Sequence, residues 1–263
     1  FEPGMDAVDN PTTRHILYSD TLFFLFDPTK DVRFREKCQG HSDPQLQKGA
    51  KVQRQEVILT EMINRITKYS GDSDERKSDK QLIILVPKAD VWLDLLGYEL
   101  VRQPWQWDPE RKIHALDVNE VMCASFAIRM VLQDNCPELV ATADSFVNDV
   151  LFLPVSAFGK SPEMDPETGV LGIRPRDIQP IWITVPMLYL FYHYGILPAS
   201  EQSVRSFPEV LRPEYTISGD IAFVDLPGRD LPLQVPLCYM GYCLRCPESG
   251  AWFQLVESDA DQG

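Results

Sequence analysis

A chain of 263 residues that is 44% apolar can bury a sizeable core, and 24% charged residues with no long like-charge block exclude a disordered composition. The formal net charge of −14 argues against a duplex-DNA or anionic-membrane surface, because the backbone attraction in such binding needs clustered Lys and Arg. A nucleotide needs only a local pocket and is not excluded, whereas nucleic acid is not an expected partner.

Taken in chain order, residues 21–26 are continuously apolar and end at Asp27-Pro28, a strand running into a turn. Residues 31–50 read as a polar loop. From Gln53 to Tyr69 the apolar positions Val57, Ile58, Met62, Ile63 and Ile66 recur at helical spacing and predict an amphipathic helix. A polar loop over 70–80 leads to a second apolar strand, 81–86, and a helical segment near Trp92–Leu100. Residues 102–114 carry Trp105 and Trp107 without clear periodicity; these are expected as loop anchors, with a partner surface as the alternative. Asp117 as an N-cap, with Glu120 three residues on, opens a helix to about Gln133. A short helix then covers Glu138–Phe146, and a third apolar strand runs over 150–155.

A Pro- and Gly-rich loop over 159–179 follows. Pro180–Tyr194 reads as a buried helix whose Tyr189, Phe191, Tyr192 and Tyr194 pack against the sheet. The longest apolar run, Ile181 to Leu197, is too short and broken to cross a bilayer, so no membrane span is expected. Apolar strands alternating with helices predict an α/β fold, a three-layer parallel sheet whose ligands bind at the carboxyl ends of its strands. After Pro198 the pattern changes to short strands over 217–224, 233–240 and 252–256. The expected organisation is an α/β domain over 1–198 and a small β-rich appendage over 199–263.

Cys123 and Cys136 fall in helix-like apolar segments and read as buried hydrophobes; without a signal-like leader the expected compartment is the reducing cytoplasm. Cys243-Leu244-Arg245-Cys246-Pro247 has the spacing of half a zinc knuckle, with Cys238 five residues upstream. Cys238, Cys243 and Cys246 are therefore candidate metal ligands, expected close together on a β turn. Tetrahedral zinc needs four ligands and no fourth is evident, so a complete zinc site within the chain is not expected.

Two strand-to-loop junctions carry the chemistry. Leu82-Ile83-Ile84-Leu85-Val86 runs into Pro87-Lys88-Ala89-Asp90, and Leu151-Phe152-Leu153-Pro154-Val155 runs into Ser156-Ala157-Phe158-Gly159. Both are expected on one sheet edge, converging on one pocket. Asp27 closing a strand, followed by Thr29, has the look of a haloacid-dehalogenase nucleophile, but the second aspartate of that mechanism is missing and a turn is the better reading.

With Pro3-Gly4, Arg14 and the strand ending Asp27-Pro28 ahead of them, the Lys-x-Asp and Ser-Ala loops resemble those of the Ras-like P-loop GTPase fold. The nearest likeness is to divergent bacterial GTPase-like domains of the translation-factor-related (TRAFAC) class. The resemblance covers roughly residues 1–197 and implies a guanine nucleotide, GTP or GDP with magnesium. It implies that Asp90 accepts hydrogen bonds from the guanine ring nitrogens, that Lys88 lays its stem across the base, and that the Ala157 amide binds the guanine carbonyl with Ser156 shaping the turn. The chain departs from that pattern. Pro87 stands where Asn or Thr is usual, Phe1 where the magnesium aspartate would fall unless Glu2 substitutes, and no Gly-x4-Gly-Lys-Ser/Thr sequence occurs. The first strand, the phosphate loop and the first switch are expected to precede Phe1. Catalytic residues are unknown, and this chain alone is expected neither to hydrolyse GTP nor to bind it tightly, since phosphate contacts supply much of nucleotide affinity. Two functions follow: a guanine-nucleotide-binding GTPase-like switch domain, or a degenerate, inactive GTPase-like scaffold or regulatory subunit that works through a protein partner.

Overall fold

In a computed structural model, residues 11–38, 40–41, 43, 46, 54–70, 77–166, 168–207 and 209–256 are described. Phe1, Glu2 and Pro3-Gly4 lie outside them. In chain order the elements are α1 (Pro11–Tyr18), β1 (Thr21–Leu25), α2 (Val32–Lys37), α3 (Gln55–Ser70), β2 (Gln81–Val86), α4 (Ala89–Trp92), β3 (Trp105–Asp108), β4 (Ile113–Leu116), α5 (Val118–Asn135), α6 (Pro137–Phe146) and β5 (Val150–Pro154). A short hairpin, β6 (Glu163–Met164) and β7 (Leu171–Gly172), precedes α7 (Val185–His193). Six short strands close the chain: β8 (Val210–Leu211), β9 (Tyr215–Ser218), β10 (Ile221–Val224), β11 (Leu233–Pro236), β12 (Cys243–Arg245) and β13 (Trp252–Gln254). This is a mixed α/β chain with small parallel and antiparallel sheets. No helix among the described residues is long and apolar enough to cross a membrane.

Two compact units divide the chain, residues 1–87 with 132–151, and residues 88–131 with 152–263, the division passing through α5 and β5. In the first unit β1 and β2 pair in parallel from Thr21 opposite Gln81 to Leu25 opposite Leu85. The sheet order is β1–β2–β5, and Ser78 and Val147 form a parallel bridge just ahead of β2 and β5. The three strands thus lie side by side in one sheet. Burial departs from expectation at β1: Phe23 is 42% and Leu25 60% exposed, so this strand alternates where β2 and β5 are buried almost throughout.

The helix α3 buries Leu59, Met62 and Ile66, one face at helical spacing, against α6. Val57 and Ile58, expected on that face, are exposed. At the end of β1, Asp27 is a turn residue: its carboxylate accepts from the Thr29 amide at 3.1 Å and hydroxyl at 2.7 Å. Gln55 secures that turn, its side-chain amide bonding both the N–H and the C=O of Asp27 at 2.8 Å. The expected loop over 31–50 contains a helix, α2, because the Asp31 carboxylate caps the amides of Arg33 and Phe34. Only Phe34 is buried in it, too little to leave a periodic signal.

In the second unit the helix expected near Trp92–Leu100 starts earlier, at Ala89, and finishes as a 3-10 turn that Gly97 ends at φ 71°. Residues 105–116 are a β hairpin, closed by the Asp108 carboxylate on the amides of Glu110 and Arg111. Trp107 lies on it 54% exposed, edge-on to His114, and is no buried anchor. Asp117 caps α5 as expected, accepting from the Glu120 amide at 3.0 Å. Glu120 does not reach back to complete a capping box; it accepts from the Val101 amide and from Arg205. In α7 only Tyr189 of the four aromatic positions is buried; Phe191 and Tyr194 are exposed and Tyr192 half-buried, so the helix does not pack inward as a whole.

The described residues of 199–256 fall in the second unit together with α5 as far as Val131. The single strand read over 217–224 is a hairpin, β9–β10, turning at Gly219 with φ 61°. Tyr239 is fully buried against Phe126 of α5 at 5.3 Å. Its hydroxyl meets that of Ser125 at 2.9 Å, and Ser125 in turn accepts the Phe152 amide at 2.9 Å. Asn119 binds both backbone groups of Cys243. Strands this short bury too little surface alone and gain their core from α5.

Candidate functional site

The strand β2 ends at Val86, and after Pro87 the chain reverses at Lys88, which takes the left-handed conformation at φ 56°, ψ 40°. That turn launches α4 with Asp90 in its first turn, and the Ala89 amide donates to the Val155 carbonyl at 3.1 Å. The loop after β2 is thereby tied directly to the one after β5. Ser156, 5% exposed, is held by a reciprocal backbone pair with Ile181, 2.9 Å each way. Its hydroxyl donates a short hydrogen bond to the Asp90 carboxylate and accepts the Gly159 amide at 2.9 Å. The other carboxylate oxygen accepts from Ser161 at 3.4 Å.

Two of the expected residues, Asp90 and Ser156, are therefore in direct contact, and Lys88 and Ala157 adjoin them in sequence. Ala157 and Phe158 are exposed beside this contact. A carboxylate fixed by two hydroxyls keeps its remaining lone pairs in a set direction and can accept further donors at little ordering cost. The loop depends on Gly159. Its φ is 70°, and a Cβ there would fall 1.8 Å from the Gln179 carbonyl oxygen, in a stretch where the Gln179 amide bonds the Phe158 carbonyl at 2.9 Å.

Gly159 closes the Ser-Ala loop motif, whereas Ser161 lies beyond both motifs. A signal was there: Gly159-Lys160-Ser161 repeats the final three residues of a phosphate-loop signature, although Pro154 takes the place of its first glycine. The structure gives the triplet another use. The hairpin β6–β7 follows it where a phosphate loop would open a helix, and the Lys160 amine lies 2.9 Å from Glu163.

The tail cysteines face different surroundings. Cys243, on β12, is buried, which pushes its thiol up to about 11 although Arg205 pulls the other way. Cys246 is also buried, but hydrogen bonds from the Ser249 hydroxyl, from the amides of Ser249 and Glu248 and from Arg229 outweigh burial and hold its thiol below the ordinary value. Cys238 is half-buried in a 3-10 turn over Leu237–Tyr239. Among the described residues no three His, Cys, Asp or Glu side chains are gathered so as to hold a metal ion.

No family model matches the chain, and neither a curated protein nor a solved structure is significantly similar to it.

Proposed function

We propose that the Asp90–Ser156 junction is the base-reading half of a guanine-nucleotide site on a three-layer, Ras-like α/β core, as the resemblance of its two loops implies. The observation that carries this reading is the Asp90 carboxylate held by the Ser156 and Ser161 hydroxyls at the ends of β2 and β5. Guanine offers an N–H and an exocyclic amine side by side, matched to one carboxylate; adenine would leave that carboxylate unpaired, a desolvation penalty that provides selectivity. Lys88 would cover one face of the base and the Ala157 amide would bind its carbonyl. In a complete switch the reaction would be attack of water on the γ-phosphate beside magnesium, driven by positioning and electrostatics.

The degenerate scaffold is the second reading, favoured by Pro87, whose ring offers no side-chain donor or acceptor to tie the base loop to a phosphate loop. The two readings share the base pocket and differ in phosphate binding. Titration of the chain with GMP, AMP and XMP, followed by protein NMR, tests the pocket. We expect weak binding with guanine preferred over adenine at least about tenfold, the effect of desolvating the carboxylate's outward lone pairs without giving them a donor. In Asp90→Asn the new side-chain NH2 should face the guanine amine and repel it, while donating to xanthine's carbonyl, so preference should pass from GMP to XMP. Equal binding of GMP and AMP, or no response to Asp90→Asn, would end the guanine assignment. GTP should bind no more than slightly tighter than GMP and should not be hydrolysed; micromolar GTP binding would favour the switch over the scaffold.

Zinc is decided by elemental analysis of the purified protein. We expect less than one zinc per chain; a full equivalent, lost in Cys243→Ser, would assign a structural metal to the tail cysteines.

A further inference from the structure

Three non-glycine residues among those described have a positive φ, Lys88, Lys112 and Trp182, and of these Trp182 is buried, 2% exposed. Its φ of 48° is a genuine outlier for a bulky side chain, and such a backbone persists only where its surroundings hold it. The indole N–H donates to the Val101 carbonyl at 2.7 Å, and the Val101 amide in turn donates to the buried Glu120 carboxylate at 3.1 Å. Immediately before Trp182, Ile181 makes the reciprocal 2.9 Å pair with Ser156, whose hydroxyl donates to Asp90. Immediately after it the chain turns into α7, where the Val185 amide donates to the Trp182 carbonyl at 3.2 Å. A glycine would take this turn without strain and could keep these backbone bonds; what it would lose is the tether to Val101.

We propose that Trp182 is a positioning residue of the candidate site, its indole tying the Ile181 segment to Val101 and so setting where the Ser156 hydroxyl meets Asp90. This rests on the reading of that contact as the base-recognition element. The far end of the same strip lies in solvent. There the exposed Gln179 donates its amide to the Phe158 carbonyl at 2.9 Å, and its side chain accepts from the exposed Arg102 at 3.2 Å. Such an end opens easily, so the fixed reference for Ser156 is the buried one. Packing alone fixes the volume of the indole, whereas a hydrogen bond that is lost as the ring turns fixes its direction. Trp182 touches no ligand in this scheme. Its effect passes through Ile181 to Ser156, and a carboxylate misplaced by about 1 Å reads a base poorly.

Trp182→Phe removes the donor and keeps most of the bulk. Amide hydrogen exchange by NMR on the free chain, with urea bringing every variant to equal global stability, reads the tether without any ligand. Protection of the Ser156 and Ile181 amides should fall at least about tenfold, the effect of one lost hydrogen bond to a buried acceptor. The preference for GMP over AMP should fall from about tenfold to about threefold or less. Trp182→Gly, which frees the backbone but lacks the indole, should behave like Trp182→Phe. Val235→Ala, a buried change on β11, should leave both readouts as in wild type. If Trp182→Phe does not fold, benzothienylalanine at position 182, the indole's shape without its N–H, is read the same way. Unchanged protection at Ser156 and Ile181, or lost protection with an unchanged preference, would overturn the proposal. Equal binding of GMP and AMP by wild type would end the guanine reading alone, and the exchange result then decides the tether by itself.

Discussion

Replacing Glu120 with alanine is expected to destabilise the protein by about 3–5 kcal/mol, the cost of leaving one member of a buried ion pair without the other. Glu120 has no solvent exposure, and its carboxylate binds Arg205 at 2.8 and 2.9 Å and the Val101 amide at 3.1 Å. The Arg205 guanidinium is partly enclosed, facing Tyr98 at 5.0 Å and Trp252 at 5.4 Å and donating to the Glu99 carbonyl. Removing Glu120 strands a desolvated cation and an amide N–H together. The charge is what matters, so the double variant Glu120→Ala/Arg205→Leu should be less damaged than the sum of the single changes. Urea denaturation of the three variants and wild type measures this as a coupling energy. Additive losses would show that the pair is no more than packing.

Gly159→Ala is the second large effect expected, and it joins stability to the candidate site. The left-handed backbone alone costs a residue with a Cβ roughly 1–2 kcal/mol. The new methyl must also displace the Gln179 carbonyl, which it would meet at 1.8 Å. Moving that carbonyl loosens the strip from Phe158–Gln179 to the Ser156–Ile181 pair, and with it the hydroxyl that orients Asp90. We expect a total loss of at least about 2 kcal/mol in urea denaturation. Discrimination between GMP and AMP should fall further than it does for a site-distant variant of equal stability. Full stability with unaltered discrimination would mean that the loop accommodates the methyl and that Gly159 is not needed there.

Much of the framework was legible because burial writes a period into sequence. Uninterrupted apolar runs marked β1, β2 and β5, and the helices between them pointed to one shared sheet. Asp117 announced α5 through a local cap, a signal that needs no tertiary context. The hairpin β3–β4 was silent because its residues are half in water and its turn is set by Asp108, not by a Gly pair. Apolar content also misled at α7: Met187 and Phe191 look like core in a one-dimensional reading, and only the fold reveals that their face is uncovered. At the site, two motifs put Asp90 and Ser156 at equivalent strand ends, and the hydrogen bond between their side chains comes from the fold. Ser161 joined it through the curl of the chain at Gly159, which no spacing rule encodes. In the tail the short strands were legible, but not the hydrogen bonds by which Ser125 and Asn119 of α5 hold Tyr239 and Cys243.

Lys88 occupies a backbone conformation that glycine or asparagine would adopt with less strain. Either would relieve a local cost of about 1 kcal/mol at the head of α4 and leave the helix start unchanged. Position 88 is thus an internal gauge for the chain. A relaxed residue there would make the more stable fold, and whatever Lys88→Gly forfeits beyond stability measures what the ammonium and its stem are for.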